Sequence, residues 1–240
     1  MANEPCVTVE ERLAAALLLS FVGGFTDVYS YLFRGHVFAN AVTGNMVLLG
    51  VNLAAGLWTD CLKYLFAIAA YGCGVFAANV VHARLGGARR ISWHQSVLAL
   101  EAVLLAAAVF VPVGRGDCLV NATIAFVCAL QVQTFRRVRG LPFASTMCTG
   151  NLRSGSEALY RGLAGEDAAG LGKARHYFCV IGVFISGAVA GALLLKRWGA
   201  PVFILAPAAL VLASALLVTA RQRVFLRRLR RRLVARFTRR

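Results

Sequence analysis

Charged side chains are scarce in this sequence. They make up 15% of its 240 residues, against roughly one-quarter in soluble domains, while 59% are hydrophobic and mean hydropathy is +0.70. That balance excludes an ordinary water-soluble globule. Acid is scarcer still, with 10 Asp and Glu against 26 Lys and Arg and a formal net charge of +16. The imbalance is local. Residues 221–240 hold ten arginines and no acid, so the other 220 residues carry 16 basic and 10 acidic side chains.

Paired cysteines are also absent. The seven cysteines (Cys6, Cys61, Cys73, Cys118, Cys128, Cys148 and Cys179) occur singly, with no C-x-x-C and no histidine at metal-ligand spacing. Cys73, Cys128 and Cys179 lie in apolar runs, where a thiol acts as a small hydrophobe. His36, His82, His94 and His176 sit near the ends of apolar runs without a ligand pattern. No catalytic triad, phosphate loop or zinc helix is legible, so neither enzymatic activity nor a cofactor is expected. A signal-peptide n-region is missing too. Glu4, Glu10 and Glu11 precede Arg12, and the apolar run that follows is too long for an h-region, so it reads as a first span.

What the sequence does contain is long apolar runs. A helix crosses the ~30 Å hydrocarbon layer with about 17–25 residues. Six runs qualify: 13–33, 64–81, 97–113, 119–135, 177–195 and 201–219. They are continuous rather than alternating, and a lipid-facing open strand would leave its backbone unsatisfied, so the expected class is all-α integral membrane. Gly187 and Gly191 form a G-x-x-x-G, and Gly182 and Ser186 a parallel small-residue row, both suited to helix packing within the bundle. With the N-terminus inside, 21 basic residues fall in inner segments and five outside, which predicts both termini in the cytoplasm.

The chain also repeats itself. Arg34-Gly35-His36-Val37-Phe38-Ala39 after the first run matches Arg139-Gly140-Leu141-Pro142-Phe143-Ala144 after the fourth. Thr43-Gly44-Asn45 matches Thr149-Gly150-Asn151, and Gly74-Val75-Phe76 matches Gly182-Val183-Phe184. Each half holds three runs, so the second is inserted upside down. The prediction is one transmembrane domain over residues 1–220, with repeat one over about 10–113 and repeat two over about 117–220. Each T-G-N forms a short or half helix after the first span of its half. A competing count makes each T-G-N stretch a span, giving eight helices and a parallel repeat. That count puts Arg84, Arg89 and Arg90 outside, against the charge rule.

Gly23-Gly24-Phe25-Thr26-Asp27, Phe38-Ala39-Asn40 leading to Thr43-Gly44-Asn45-Met46, and Thr149-Gly150-Asn151 together resemble the YoaK family, over most of residues 10–220. The resemblance implies a bacterial inner-membrane, multi-pass protein and brings no agreed substrate or activity. The arginine tail departs from the pattern.

Asp27 is the foremost candidate. An ionised carboxylate inside a span costs several kcal/mol unless it meets a partner or water, which marks a functional position. The structural alternative is an aspartate near enough to the interface to be solvated, or one that accepts hydrogen bonds from the T-G-N backbone. Thr26, Asn40, Thr43, Gly44, Asn45, Thr149, Gly150 and Asn151 are expected beside it as a solute or ion path. Glycine-interrupted apolar segments at matching places in inverted halves are the sequence pointer to such a site. The bland alternative for each T-G-N is a helix N-cap. Gln131 and Gln133 occupy the corresponding part of the fourth span, with the exact partner of Asp27 left open. Glu101 is expected to reach water near the inner interface, and Asn79 to hydrogen-bond another helix.

The tail places Phe225, Leu229, Leu233 and Phe237 four apart among arginines, including Arg227, Arg228, Arg230, Arg231 and Arg232. This reads as an amphipathic helix on the anionic inner leaflet, with lipid rather than nucleic acid as partner. The leading function is small-solute transport. The alternative is a membrane enzyme, or an assembly factor that binds a lipid or protein. A homo-oligomer is compatible with either.

Overall fold

The structure is a computed structural model, and it describes residues 13–85, 93–138 and 140–217. Among these residues the architecture is eight α-helices, one 3-10 turn and one two-residue hairpin. The helices are α1 Leu13–Phe33, α2 Val42–Ala54, α3 Trp58–Leu85, α4 Trp93–Val109, α5 Asp117–Thr134, α6 Cys148–Leu163, α7 Gly170–Trp198 and α8 Leu205–Leu216. Strands β1 Arg137–Val138 and β2 Leu141–Pro142 pair antiparallel ahead of α6, and the turn Ala200–Ile204 leads into α8.

Four helices, α1, α3, α5 and α7, are long and apolar enough to cross a membrane. At 1.5 Å per residue the 21 residues of α1 rise about 32 Å and the 29 of α7 about 44 Å. The apolar α4 has 17 residues and α2 only 13, or about 20 Å, too short for a full crossing. Both T-G-N segments are therefore the first turns of short helices, with regular helical backbone rather than an unwound stretch. Neither helix has a side-chain N-cap, so the simple capping reading does not hold either. The arginine tail, Arg139 and the Arg89–Arg90 pair lie outside the described residues.

α1 packs along α7 and α3 along α5, while α4 lies on α8, and short α2 and α6 lean on α3 and α7. Glycine sets the approach. A Cβ on Gly24 would stand 2.0 Å from the Phe184 carbonyl oxygen, and one on Gly187 would stand 2.1 Å from that of Phe21. At the other pair, a Cβ on Gly74 would meet the Phe126 carbonyl at 2.5 Å. Without a hydrophobic drive between lipid-embedded helices, such close backbone contact is what holds them. The G-x-x-x-G expectation stands, since Gly191 faces Phe25 of α1. The second row does not pack: Gly182 has nothing within 4 Å, and Ser186 is exposed. Hence the G-V-F match is not a structural equivalence. The α7 residue that does what Gly74 does on α3 is Gly187.

The largest apolar core joins α1, α4, α5 and α8 around Leu19, Phe25, Tyr29, Leu98, Leu105, Ile124 and Leu210, with Phe203 of the 3-10 turn stacked on Tyr29 at 3.9 Å. By contrast α3 and α7 are largely exposed along their apolar windows, as lipid-facing helices are.

Candidate functional site

Between α1 and α2 the chain folds back against α1 without regular structure. Its backbone N–H groups need acceptors there, because exposed loop backbone is not tolerated at membrane depth. Side chains of α1 provide them. Asp27 Oδ1 accepts from the Asn40 backbone N–H at 2.9 Å, and Ser30 Oγ accepts from Ala39 at 3.3 Å. The Asn40 side-chain amide donates to the Gly23 carbonyl at 2.9 Å and reaches Thr26 Oγ1 at 3.4 Å. Its amide oxygen accepts from the Cys128 thiol, so Asn40 bridges α1 and α5. Cys128 is thus a hydrogen-bond donor as well as a packing residue. Asp27 thus holds the returning loop backbone against α1.

The loop before α6 reaches the same place from the other half. A Cβ on Gly23 would lie 2.8 Å from Thr146 Cγ2 and 3.4 Å from the Ser145 carbonyl. The glycine whose carbonyl receives Asn40 is therefore also the one pressed by the second loop. Cys148, on the first turn of α6, lies within Coulombic reach of Asp27, and Cys128 lies within reach of both Asp27 and Glu101.

Buried polar groups without partners occur on this second loop and on α4 and α5. Both carboxyl oxygens of Glu101, Gln131 Nε2 and the hydroxyls of Thr134, Ser145 and Thr146 are buried without hydrogen bonds. Glu101 itself is 0% exposed, facing the core side of α4. This corrects the expectation that it reaches water: its neighbours on that helix face, Val97, Leu98, Ala102 and Leu105, are all buried. Orphaned buried polar atoms are uncommon in native folds and ask for an occupant. The Asp27 carboxylate and the Ser145 and Thr146 residues of the second loop offer acceptors suited to a cation or a solute carrying N–H or O–H donors. Among the described residues no three His, Cys, Asp or Glu side chains group to hold a metal ion.

The T-G-N residues divide. Asn45 donates to the Phe38 carbonyl at 2.6 Å and Asn151 to that of Ala144 at 2.7 Å, each seven residues back, so each asparagine closes its own loop. Thr43, Thr149 and Gly150 are exposed, and Gly44 has only ordinary contacts with Phe38 and Ala41. The two glutamines also separate. Gln131 is buried among the unpartnered groups, whereas Gln133, about 200° round the helix, donates to Asn79 at 3.0 Å on another face. That bond is the helix-to-helix contact expected of Asn79.

Arg34 was counted only as a loop cation and is far more. It is 1% exposed, its guanidinium donating to Tyr29 Oη at 2.5 and 2.9 Å, to the Val111 and Pro112 carbonyls at 2.8 and 2.9 Å, and to Asp117 at 3.0 Å. Asn121 Nδ2 donates to the Arg34 carbonyl at 2.6 Å. One residue thus pins the end of α1 to the α4–α5 turn. Its place at the head of the duplicated R-G-x-x-F-A block was the signal for it.

These helices and the known relatives define a multi-pass, all-α membrane protein. The family model described as "Protein of unknown function (DUF1275)" matches residues 15–217, and the chain belongs to that family. It is similar to the UPF0700 transmembrane protein YoaK of Bacillus subtilis (strain 168), with 31% identity over 147 residues, a match spanning 57% of this chain and 62% of the relative. The match thus spans less than two thirds of that relative's length. No solved structure matches.

Proposed function

We propose that this protein is a carrier for a small solute, built as two inverted halves of three spans each, with its site between the two irregular loops at Asp27. The observation that carries the reading is the meeting of both loops at Gly23, beside the Asp27 carboxylate and the second loop's Ser145 and Thr146, whose buried hydroxyls have no hydrogen bond. In this reading α4 and the 3-10 turn with α8 complete the six spans, and α2 and α6 are half helices.

Several features support the duplication. Phe21 and Phe126 stand 105 residues apart, the offset of the R-G-x-x-F-A blocks, and each takes a glycine of the opposite half on its carbonyl. The Asn45 and Asn151 loop bonds have the same form. The helices α2 and α6 end on Ala55 and Ala164, each followed by a positive-φ glycine, Gly56 or Gly165. Halves related in this way can rock about a fixed midplane site, which gives alternating access. The cycle involves no covalent chemistry. The bacterial inner membrane with both termini in the cytoplasm fits the charge distribution, and the arginine tail would bind the anionic inner leaflet.

The test is a thermal-shift screen of the purified protein against ions, amino acids, sugars and amines, followed by flux of any stabilising solute into proteoliposomes. Binding stabilises by RT ln(1 + [L]/Kd), so millimolar ligands register. The reading expects a solute that stabilises the wild type and is transported, with both effects lost in Asp27→Asn at normal insertion. A stoichiometric co-purifying lipid or protein, with no solute response, would favour the assembly or lipid-binding alternative.

A further inference from the structure

A second polar site lies where α3 and α5 approach Trp93 and His94 of α4. His82, Trp93, His94, Gln133, Arg136 and Arg137 line a cavity of about 430 Å³ there. Two arginines and two histidines are among its lining residues, and among the described lining residues there is no carboxylate. The charge is presented in an ordered way. Trp93 holds both imidazoles, with ring centroids 4.6 Å from His82 and 4.3 Å from His94, and Gln133 is fixed by Asn79 at 3.0 Å. Guanidinium forks match the oxygens of a tetrahedral oxyanion, and the tryptophan offers an apolar wall beside them. The volume is typical of a small-molecule pocket, with more room than a lone phosphate fills.

We infer that this cavity binds a phosphate ester of glycerophosphate type. The group reaches it either as a soluble metabolite or as the headgroup of an anionic phospholipid. The inference does not depend on the transport reading.

The experiment uses the full chain in neutral, phosphate-free detergent and follows melting temperature during titration with glycerol 3-phosphate or with phosphatidylglycerol. Sodium chloride at matched ionic strength and phosphatidylcholine serve as blanks. At least one probe should stabilise the wild type. Its apparent affinity should fall about tenfold or more in the Arg136→Gln, Arg137→Gln double variant and stay unchanged in Arg153→Gln, on the exposed side of α6. A response to glycerol 3-phosphate assigns the site to a soluble ester, and a response to phosphatidylglycerol alone assigns it to lipid. No response of the wild type to either probe, or an equal response of wild type and double variant, overturns the inference. If the double variant does not fold, the two single variants carry the test, and unchanged affinity in both is equally fatal.

Discussion

Replacing Gly187 by alanine should loosen the α1–α7 contact, and replacing Gly182 should not. The new methyl at 187 would stand 2.1 Å from the Phe21 carbonyl oxygen and 2.8 Å from its carbon. Ordinary contact begins near 3.4 Å, so α1 and α7 must part by more than 1 Å, or the helix backbone must bend. Neither neighbour is the flexible end of a side chain. Overpacking of this kind costs about 1–3 kcal/mol, and for a chain of this size each kcal/mol moves the melting temperature by roughly 2–4 °C. At Gly182 nothing lies within 4 Å, and alanine gains up to about 1 kcal/mol of helix propensity over glycine. The two substitutions should therefore shift the melting temperature of the detergent-purified protein in opposite directions, down by several degrees at 187 and unchanged or up at 182. Equal shifts, or a neutral Gly187→Ala, would refute the argument that backbone contact at Phe21 sets the α1–α7 distance.

Three further outcomes follow from the buried polar groups. Arg34→Met leaves Asp117, two carbonyls and Tyr29 without their donor, and should destabilise by about 3–5 kcal/mol in chemical denaturation; a loss below about 1 kcal/mol would show that water replaces the guanidinium at no cost. Glu101→Leu removes an unpartnered buried carboxyl and should raise the melting temperature while abolishing any solute-dependent stabilisation, a stability gain at the expense of function. Asn45→Ala and Asn151→Ala each delete one loop-closing bond and should cost about 1–3 kcal/mol apiece, with the same sign in both halves. A large effect in one half alone would count against equivalent roles.

Much of the architecture was legible because hydropathy is local. The first run and α1 end together at Phe33, and the apolar runs at 64–81 and 177–195 fall inside α3 and α7. The runs stop short of those helices' ends because hydropathy loses the polar turns, such as Trp58–Lys63 and Gly170–His176, that continue the helix beyond the apolar stretch. The site was partly legible: Asp27 and Asn40 do meet, and Thr26 lies beside them. What composition could not show is which groups meet across the fold. Thr146 and Cys128 belong to the cluster through contacts that join distant parts of the chain. Arg34 looked like any loop cation until the α4–α5 turn closed over it. The G-V-F match misled for a related reason, since three identical letters on a lipid-facing helix do not set its packing register.

The central claim is that the two halves point in opposite directions, so that their irregular loops reach one site from opposite faces. Ala55 and Ala164, the exposed residues that cap the ends of α2 and α6, report this most directly. Each is replaced by cysteine in a background with the native cysteines changed to alanine or serine, and intact cells are treated with a membrane-impermeant thiol reagent. Opposite insertion predicts labelling of Ala55→Cys from outside, and of Ala164→Cys only after the membrane is opened. Labelling of both from the same side would contradict it.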